Sequence, residues 1–254
     1  MINQQVDDGI LIATFEKGKF NAIDLETLLQ IKEVVDRVNT DDEIKGLIFT
    51  GAGRTFCSGF DLPMFLGFKD LAEAVAFFEQ AEDTFIDLFM CKKPVISAIN
   101  GAAMAGGLII SMATDYRIVK NHPKIQLGMT ENKIGLGLSI VQTELMRFGL
   151  DSEHTFRDVM FFGERVGIEK AKEMRMVDEI VEEDQLIPRA KEVITSWWDN
   201  PGKAFLLLKY SQRKPYEDIM RKRLKNENWQ EGFNCMFDPQ TRGTLEMVAK
   251  MMGE

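Results

Sequence analysis

Residues 92–108 read Lys-Lys-Pro-Val-Ile-Ser-Ala-Ile-Asn-Gly-Ala-Ala-Met-Ala-Gly-Gly-Leu and carry the clearest structural signal in the sequence. The apolar run at residues 94–99 is rich in β-branched side chains, which predicts a buried strand. Asn100-Gly101 then breaks the strand, and a second apolar run at residues 105–114 predicts a buried helix. A glycine pair at the start of this helix lets the backbone approach a ligand and leaves the first helical N–H groups without an intrahelical partner.

A second stretch has the same organisation. Residues 54–62 (Arg-Thr-Phe-Cys-Ser-Gly-Phe-Asp-Leu) follow an apolar strand predicted at residues 46–50. Two backbone N–H groups, one from each glycine turn, would form an oxyanion hole if they met at one carbonyl oxygen. Either glycine cluster taken alone more often reflects a tight turn or the close packing of a helix.

On either side of these two stretches, strands alternate with helices along the first half of the chain. Strands are predicted at residues 9–15 and 116–119, an amphipathic helix begins after Asp24, and another helix covers residues 70–90. This alternation predicts an α/β fold with mostly parallel strand pairing. From Leu136 onward the strand signal fades and helices dominate; the candidates are residues 139–148, 168–175, 184–198, 203–210 and 217–232.

The best break in the chain is Asp-Asn-Pro-Gly at residues 199–202. It divides the sequence into an α/β core at residues 1–198 and a helical region at residues 199–254. A length of 254 residues suits one large domain or a domain with a small appendage, and at this length a sizeable core can form without disulfides.

Composition excludes several classes of function. The net charge of −9 disfavours nucleic-acid binding, and an anionic ligand would need a local basic patch. No apolar run approaches the roughly 18 residues of a membrane span. Three cysteines without a CxxC spacing indicate a reducing compartment. We therefore expect a cytoplasmic protein, although a processed organellar protein would have the same composition.

Four motifs in order resemble the crotonase (enoyl-CoA hydratase/isomerase) superfamily. They are Gly-x-Gly-x-Thr-Phe-Cys-Ser-Gly-Phe-Asp-Leu at residues 51–62, the stretch at 92–107, Asp-Tyr-Arg-Ile-Val at 115–119 and Gly-Met-Thr-Glu at 128–131. The resemblance covers roughly residues 5 to 250. It implies a spiral of repeated strand–strand–helix (ββα) units with a helical C-terminal trimerisation region, and a homotrimer or dimer of trimers.

The resemblance also implies positions for the site. The N–H groups of Phe60 and Gly106 correspond to the oxyanion donors, and Ser58 and Leu62 match positions whose backbone lines the adenine and pantetheine region of coenzyme A. The expected partner is an acyl-CoA thioester, with coenzyme A as part of the substrate and no metal or other cofactor. Residues 63–78, rich in Phe, Leu and Ala, are expected to line part of the acyl pocket.

The acid–base residues separate the reactions of this superfamily. Hydratases carry two glutamates, but here Ile109 occupies one of these positions and Glu131 the other. Hydration usually needs two positioned groups, whereas one carboxylate can move a proton between C2 and C4 of a 3-enoyl-CoA. An apolar Ile109, placed in the substrate site beside Glu131, would raise the pKa of that carboxylate by desolvation.

We therefore predict a Δ3,Δ2-enoyl-CoA isomerase in which Glu131 is the base. The alternatives are hydration, hydrolysis or decarboxylation of a CoA thioester on the same scaffold, or a catalytically silent acyl-CoA-binding subunit. The acyl chain length and the pathway stay open.

Overall fold

The computed structural model describes residues 1–253, whose strands form two sheets. The first sheet has the strand order β1-β2-β3-β5-β7-β10 and the second has the order β4-β6-β8-β9. The β1–β2 and β8–β9 pairs are antiparallel, and the other pairs are parallel. The strands are β1 (Ile2–Asp7), β2 (Ile10–Phe15), β3 (Gly46–Gly51), β4 (Thr55–Cys57), β5 (Val95–Ile99), β6 (Ala102–Met104), β7 (Tyr116–Lys120), β8 (Gln126–Gly128), β9 (Arg165–Gly167) and β10 (Glu179–Val181).

Helices cover the sheets and form most of the C-terminal part. The α-helices are α1 (Leu25–Thr40), α2 (Leu62–Gly67), α3 (Leu71–Phe89), α4 (Gly106–Ala113), α5 (Ile140–Gly149), α6 (Glu153–Phe162), α7 (Ile168–Glu173), α8 (Leu186–Trp198), α9 (Ala204–Asn226) and α10 (Pro239–Met252). Short 3₁₀ segments lie at Glu131–Ile134, Glu183–Gln185, Pro201–Lys203 and Gln230–Phe237. Of the helices formed by residues 1–253, none has the length and apolar character that a membrane crossing requires.

Three consecutive segments repeat one pattern: a strand in the first sheet, a strand in the second sheet and then a helix. They are β3–β4 with α3, β5–β6 with α4, and β7–β8 with α5. The predicted spiral of ββα units and the helical C-terminal region are therefore confirmed. Trimerisation stays a prediction.

Both faces of the first sheet are buried at its central strands β3 and β5, which explains why these two strands are almost continuously apolar. Along β3, Leu47 and Phe49 belong to the larger core, whereas Ile48 points to the opposite face. There it joins Ile96 and Ile194 in a smaller core beneath α8. The alternation follows from the two-residue period of a strand.

Several elements were not predictable from local patterns. Strand β1 is polar and mostly exposed along Asn3–Gln5, so it lacks an apolar alternation. The strands of the second sheet have only three residues each, too few to show a period. Strand β10 lies in the part predicted to be helical. The helices predicted at 203–210 and 217–232 are instead the continuous α9, which contains Pro215 and is followed by the 3₁₀ segment Gln230–Phe237.

A buried ion cluster fastens α9 to the α/β core. Lys209 and Arg213 of α9 lie 2.7 Å and 2.6 Å from the carboxylate of Asp115, and all three side chains are less than 10% exposed. Arg213 also donates to the carbonyl oxygens of Ala113 (2.8 Å) and Thr114 (3.0 Å). The division of the chain at residue 199 stays a prediction, but helices on its two sides share this polar core.

Candidate active site

Three segments that were predicted to carry site residues lie at one edge of the second sheet. Strands β4, β6 and β8 are parallel neighbours, so their carboxyl ends share that edge. The chain continues from β4 to Ser58 and Phe60, from β6 to Gly106, and from β8 to Glu131. The N–H of Ala105 donates to the carbonyl of Gly128 at 2.9 Å, which ties the start of α4 to the segment that carries Glu131.

The first two segments are in direct contact, and the two glycine motifs make this possible. Gly59 has a φ of +97°, and a Cβ at this position would lie 2.6 Å from Ala105 Cβ and 2.9 Å from Gly106 N. A Cβ on Gly107 would lie 2.2 Å from the carbonyl oxygen of Cys57. These distances are far below any real Cβ contact, so both positions require glycine.

The N–H groups of Phe60 and Gly106 are not used by the protein's own backbone. A parallel bridge between Ile23 and Phe60 pairs the flanking groups: Ile23 N–H donates to Gly59 (2.8 Å) and Asp61 N–H donates to Ile23 (2.9 Å). Within residues 1–253, neither the Phe60 N–H nor the Gly106 N–H makes a hydrogen bond. Such donors beside a cavity can bind an oxygen that gains negative charge.

Glu131 begins the 3₁₀ segment after Thr130. The residue is partly exposed as a whole, but its Oε2 is excluded from solvent and has no hydrogen-bond partner within the described chain. Desolvation raises the pKa of this carboxyl to about 7, and hydrogen bonds from the backbone of Glu131 and Thr130 partly oppose the shift. A carboxylate with a pKa near neutrality is an effective base at physiological pH.

A cavity of about 510 Å³ connects these features. Ser58, Phe60, Leu62 and Glu131 line it. That these residues contact or act on a substrate stays a prediction. The lining is mostly apolar, and the C-terminal helices close one side. From that part of the chain come Phe233, Met236, Val248 and Met252.

Aromatic side chains form much of the apolar wall. The ring of Phe60 packs against those of Phe65 and Phe78 with centroid separations of 5.6 Å and 5.7 Å. Phe78 in turn stacks on Phe233 at 3.9 Å. Phe65 and Phe78 line the cavity. Two residues of segment 63–78 therefore line the cavity, and their contact with an acyl chain stays a prediction.

Two of the predicted site residues, Gly106 and Ile109, are not among the residues that line the cavity. Gly106 is buried beside Phe60, and its neighbour Ala105, rather than Gly106 itself, lines the cavity. Ile109 is completely buried in α4 and is not among the lining residues. Burial raises the pKa of Glu131 through desolvation. That Ile109 contributes to this desolvation stays a prediction.

Sequence reasoning did not single out four polar residues of this region. Lys133 and Arg165 supply positive charge to the cavity wall, and Gln142 lines it from the first turn of α5. Glu82, 1% exposed on α3, lies close to the side chain of Gln142. No local pattern could indicate Glu82 or Gln142, because the two residues are 60 positions apart and meet only in the folded chain.

Taken together, the fold and cavity define an α/β protein with two unpaired backbone donors and one buried carboxylate at the edge of a parallel sheet. The model of the enoyl-CoA hydratase/isomerase family matches residues 5–238. The chain belongs to this family, which confirms the crotonase superfamily predicted from the motifs.

Individual relatives carry names from both branches of the family. A probable enoyl-CoA hydratase of Mycobacterium leprae is 31% identical over 70% of this chain and 62% of its own length, so the match spans less than two thirds of that relative. The mitochondrial enoyl-CoA delta isomerase 1 of Mus musculus is 26% identical over 84% of this chain and 74% of its own. The crystal structure of human mitochondrial delta3-delta2-enoyl-CoA isomerase superposes with a TM-score of 0.91 at 21% identity, covering 99% of this chain and 98% of that one.

Proposed function

We propose that this protein is a Δ3,Δ2-enoyl-CoA isomerase in which Glu131 is the only acid–base residue. The thioester carbonyl oxygen accepts hydrogen bonds from the N–H groups of Phe60 and Gly106. Glu131 removes a proton from C2, and the electron pair of that C–H bond delocalises into the carbonyl to give a dienolate. Glu131 then returns the proton to C4, so the double bond moves from C3–C4 to C2–C3 and the atoms balance without a co-reactant.

One observation supports this reaction most strongly: Glu131 is the sole carboxylate among the residues that line the cavity in the described chain. Hydration would need a second group to activate water or deliver a proton. Ile109 occupies the position of the other hydratase glutamate, and Glu82 is not among the residues that line the cavity. A single shielded carboxylate with a pKa of about 7 fits a proton shuttle better than it fits hydration.

The same cavity accounts for a CoA thioester as the partner. Its mostly apolar wall suits an acyl chain, and Lys133 and Arg165 would attract the phosphates of coenzyme A despite the acidic protein. Ser58 and Leu62 are proposed to contact the CoA moiety. A homotrimer or dimer of trimers is proposed from the family resemblance.

The proposal is tested by two turnover assays, with 3-hexenoyl-CoA and 2-hexenoyl-CoA, on the wild type and on Glu131→Gln. We expect rapid isomerisation of the 3-enoyl substrate, little hydration of the 2-enoyl substrate and loss of isomerisation in the variant. Glu79→Gln, an exposed carboxylate change on α3, is the matched control and should keep wild-type activity. Dominant hydration, or a Glu131→Gln variant as active as the control, would contradict the proposal.

A further inference from the structure

Gln142 is a polar residue in a cavity wall that is mostly apolar. It is 2% exposed, lines the cavity and belongs to the first turn of α5. Its Nε2 is buried and makes no hydrogen bond within residues 1–253. Within the described chain, only three buried side-chain nitrogen or oxygen atoms have no hydrogen-bond partner. Two of them, Glu131 Oε2 and Gln142 Nε2, belong to residues that line this cavity.

Buried polar atoms without partners are rare in folded proteins, because each one costs the free energy of its lost hydration. For Glu131 the proposed chemistry explains that cost. The cap of α5 does not account for the Gln142 amide, because the backbone N–H of Gln142, rather than its side chain, donates to Ser139 Oγ. The nearby Glu82 carboxylate does not pair the amide either, since no hydrogen bond joins the two groups. An unpaired amide in the wall of the cavity that Glu131 also lines is better explained by a bond to the substrate.

The surroundings hold Gln142 in place. Glu82 accepts hydrogen bonds from Ser139 Oγ (2.5 Å) and Val141 N–H (2.8 Å). The Gln142 amide lies close enough to lower the pKa of Glu82, although without the geometry of a hydrogen bond. Desolvation outweighs these contacts and raises the pKa of Glu82 to about 7.

The position of the amide relates it to the acyl chain. Glu82 lies one helical turn after Phe78 on α3, so the two side chains share a face of that helix. Phe78 contacts Phe60 and Phe233 within the aromatic wall. Gln142 therefore belongs to the wall that surrounds the hydrocarbon part of the substrate.

We propose that Gln142 is a specificity-determining residue whose side-chain amide hydrogen bonds to an oxygen on the acyl chain. The preferred substrates are acyl-CoA thioesters with a hydroxyl or oxo group beyond the reacting carbons, and this assignment rests on the proposed function. A plain hydrocarbon tail would leave the amide unpaired, whereas a hydroxyl or oxo oxygen would accept its hydrogen. Sites built to hydrogen bond a substrate group discriminate against analogues that lack it.

The test measures binding by isothermal titration calorimetry and uses saturated ligands, which have no double bond for the proposed isomerisation to move. The series comprises decanoyl-CoA and its hydroxy and oxo derivatives, with the oxygen moved one carbon at a time along the tail beyond C4. We expect the wild type to bind at least one oxygenated ligand roughly five- to 150-fold more tightly than decanoyl-CoA, the ratio for satisfying one buried polar group. Gln142→Leu should remove this preference by weakening the oxygenated ligand and strengthening decanoyl-CoA.

Met236→Leu, an apolar change in the same wall, is the matched control and should alter the affinities of both ligands by the same factor. A wild type that binds every ligand with equal affinity, or a Gln142→Leu variant that keeps the preference, would overturn the inference. Because no turnover is needed, failure of the isomerase assay together with a clear oxygen preference would contradict the proposed reaction alone. Isomerisation without any preference would contradict the role of Gln142 alone.

Discussion

Gly59→Ala would separate the two proposed oxyanion donors. The φ of +97° at this position lies outside the regions open to L-residues, so alanine would cost about 1–3 kcal/mol in backbone strain. The new methyl group would also meet Ala105 Cβ at 2.6 Å and Gly106 N at 2.9 Å. One of these backbones must shift, and the N–H groups of Phe60 and Gly106 would no longer face the same oxygen.

The loss of one oxyanion donor typically lowers kcat by about 10²–10³-fold. We therefore expect Gly59→Ala to reduce kcat for 3-hexenoyl-CoA by about that factor. Its free energy of unfolding, measured in urea, should fall by about 1–3 kcal/mol. The variant should stay folded under assay conditions, so that the loss of rate reports on the site.

Gly53→Ala is the matched control, because Gly53 also has a positive φ (+69°), but a Cβ there would meet no other part of the chain within 4 Å. It should lose stability through strain and keep kcat. A folded Gly59→Ala variant with kcat within roughly threefold of the wild type, less than about 1 kcal/mol of barrier, would refute the oxyanion assignment. An equal loss of kcat in both variants would show that strain, rather than displacement of the donors, is responsible.

Three further predictions follow from the buried charges. Glu131 must be ionised to accept a proton, and its pKa is raised to about 7. We therefore expect kcat/KM for isomerisation to rise with pH and to level off above about pH 7. A flat profile from pH 5 to 9 would contradict the role of Glu131 as the base. Asp115→Ala leaves the buried Lys209 and Arg213 without their counter-charge. The free energy of unfolding measured in urea should therefore fall by about 3–5 kcal/mol. A decrease below about 1 kcal/mol would mean that the ion cluster does not anchor α9 to the core. The pKa of Glu82 is raised from 4.5 to about 7 in the folded state. Between these two pH values the native protein therefore binds more protons than the unfolded chain does. The contribution of Glu82 to the free energy of unfolding therefore falls as the pH rises from about 4.5 to about 7. Glu82→Gln should remove on the order of 3 kcal/mol of that pH dependence, measured as the wild-type minus variant difference between about pH 4.5 and 8; an unchanged difference would contradict the shift.

The parts of the fold with strong local signals were predictable. Asp24 caps α1, as predicted, by accepting a hydrogen bond from the N–H of Thr27. The helix predicted over residues 70–90 is α3, in which Asp70 is the cap and accepts from the N–H of Glu73. The apolar strand at Val95–Ile99 and the glycine pair after it defined the start of α4. These features depend on neighbours within a few residues, so the sequence displays them directly.

Long-range features of the site were not predictable in the same way. The three-residue strands β4, β6 and β8 are stabilised by pairing with one another, and each is too short to show a pattern by itself. Phe233 and Met236 reach the cavity because the C-terminal helices fold back across it. Ile109 was predicted to line the site from its position in a motif, but a motif position does not reveal which way a buried side chain points.

The proposed transfer of a proton from C2 to C4 by one shielded carboxylate can be followed with an isotope label. The substrate is 3-hexenoyl-CoA with deuterium at C2, and the product is analysed by mass spectrometry and NMR after a single turnover in ordinary water. Because Glu131 Oε2 has no contact with solvent, we predict that much of the abstracted deuterium appears at C4. Complete replacement of that deuterium by solvent hydrogen in the first turnover would contradict the account.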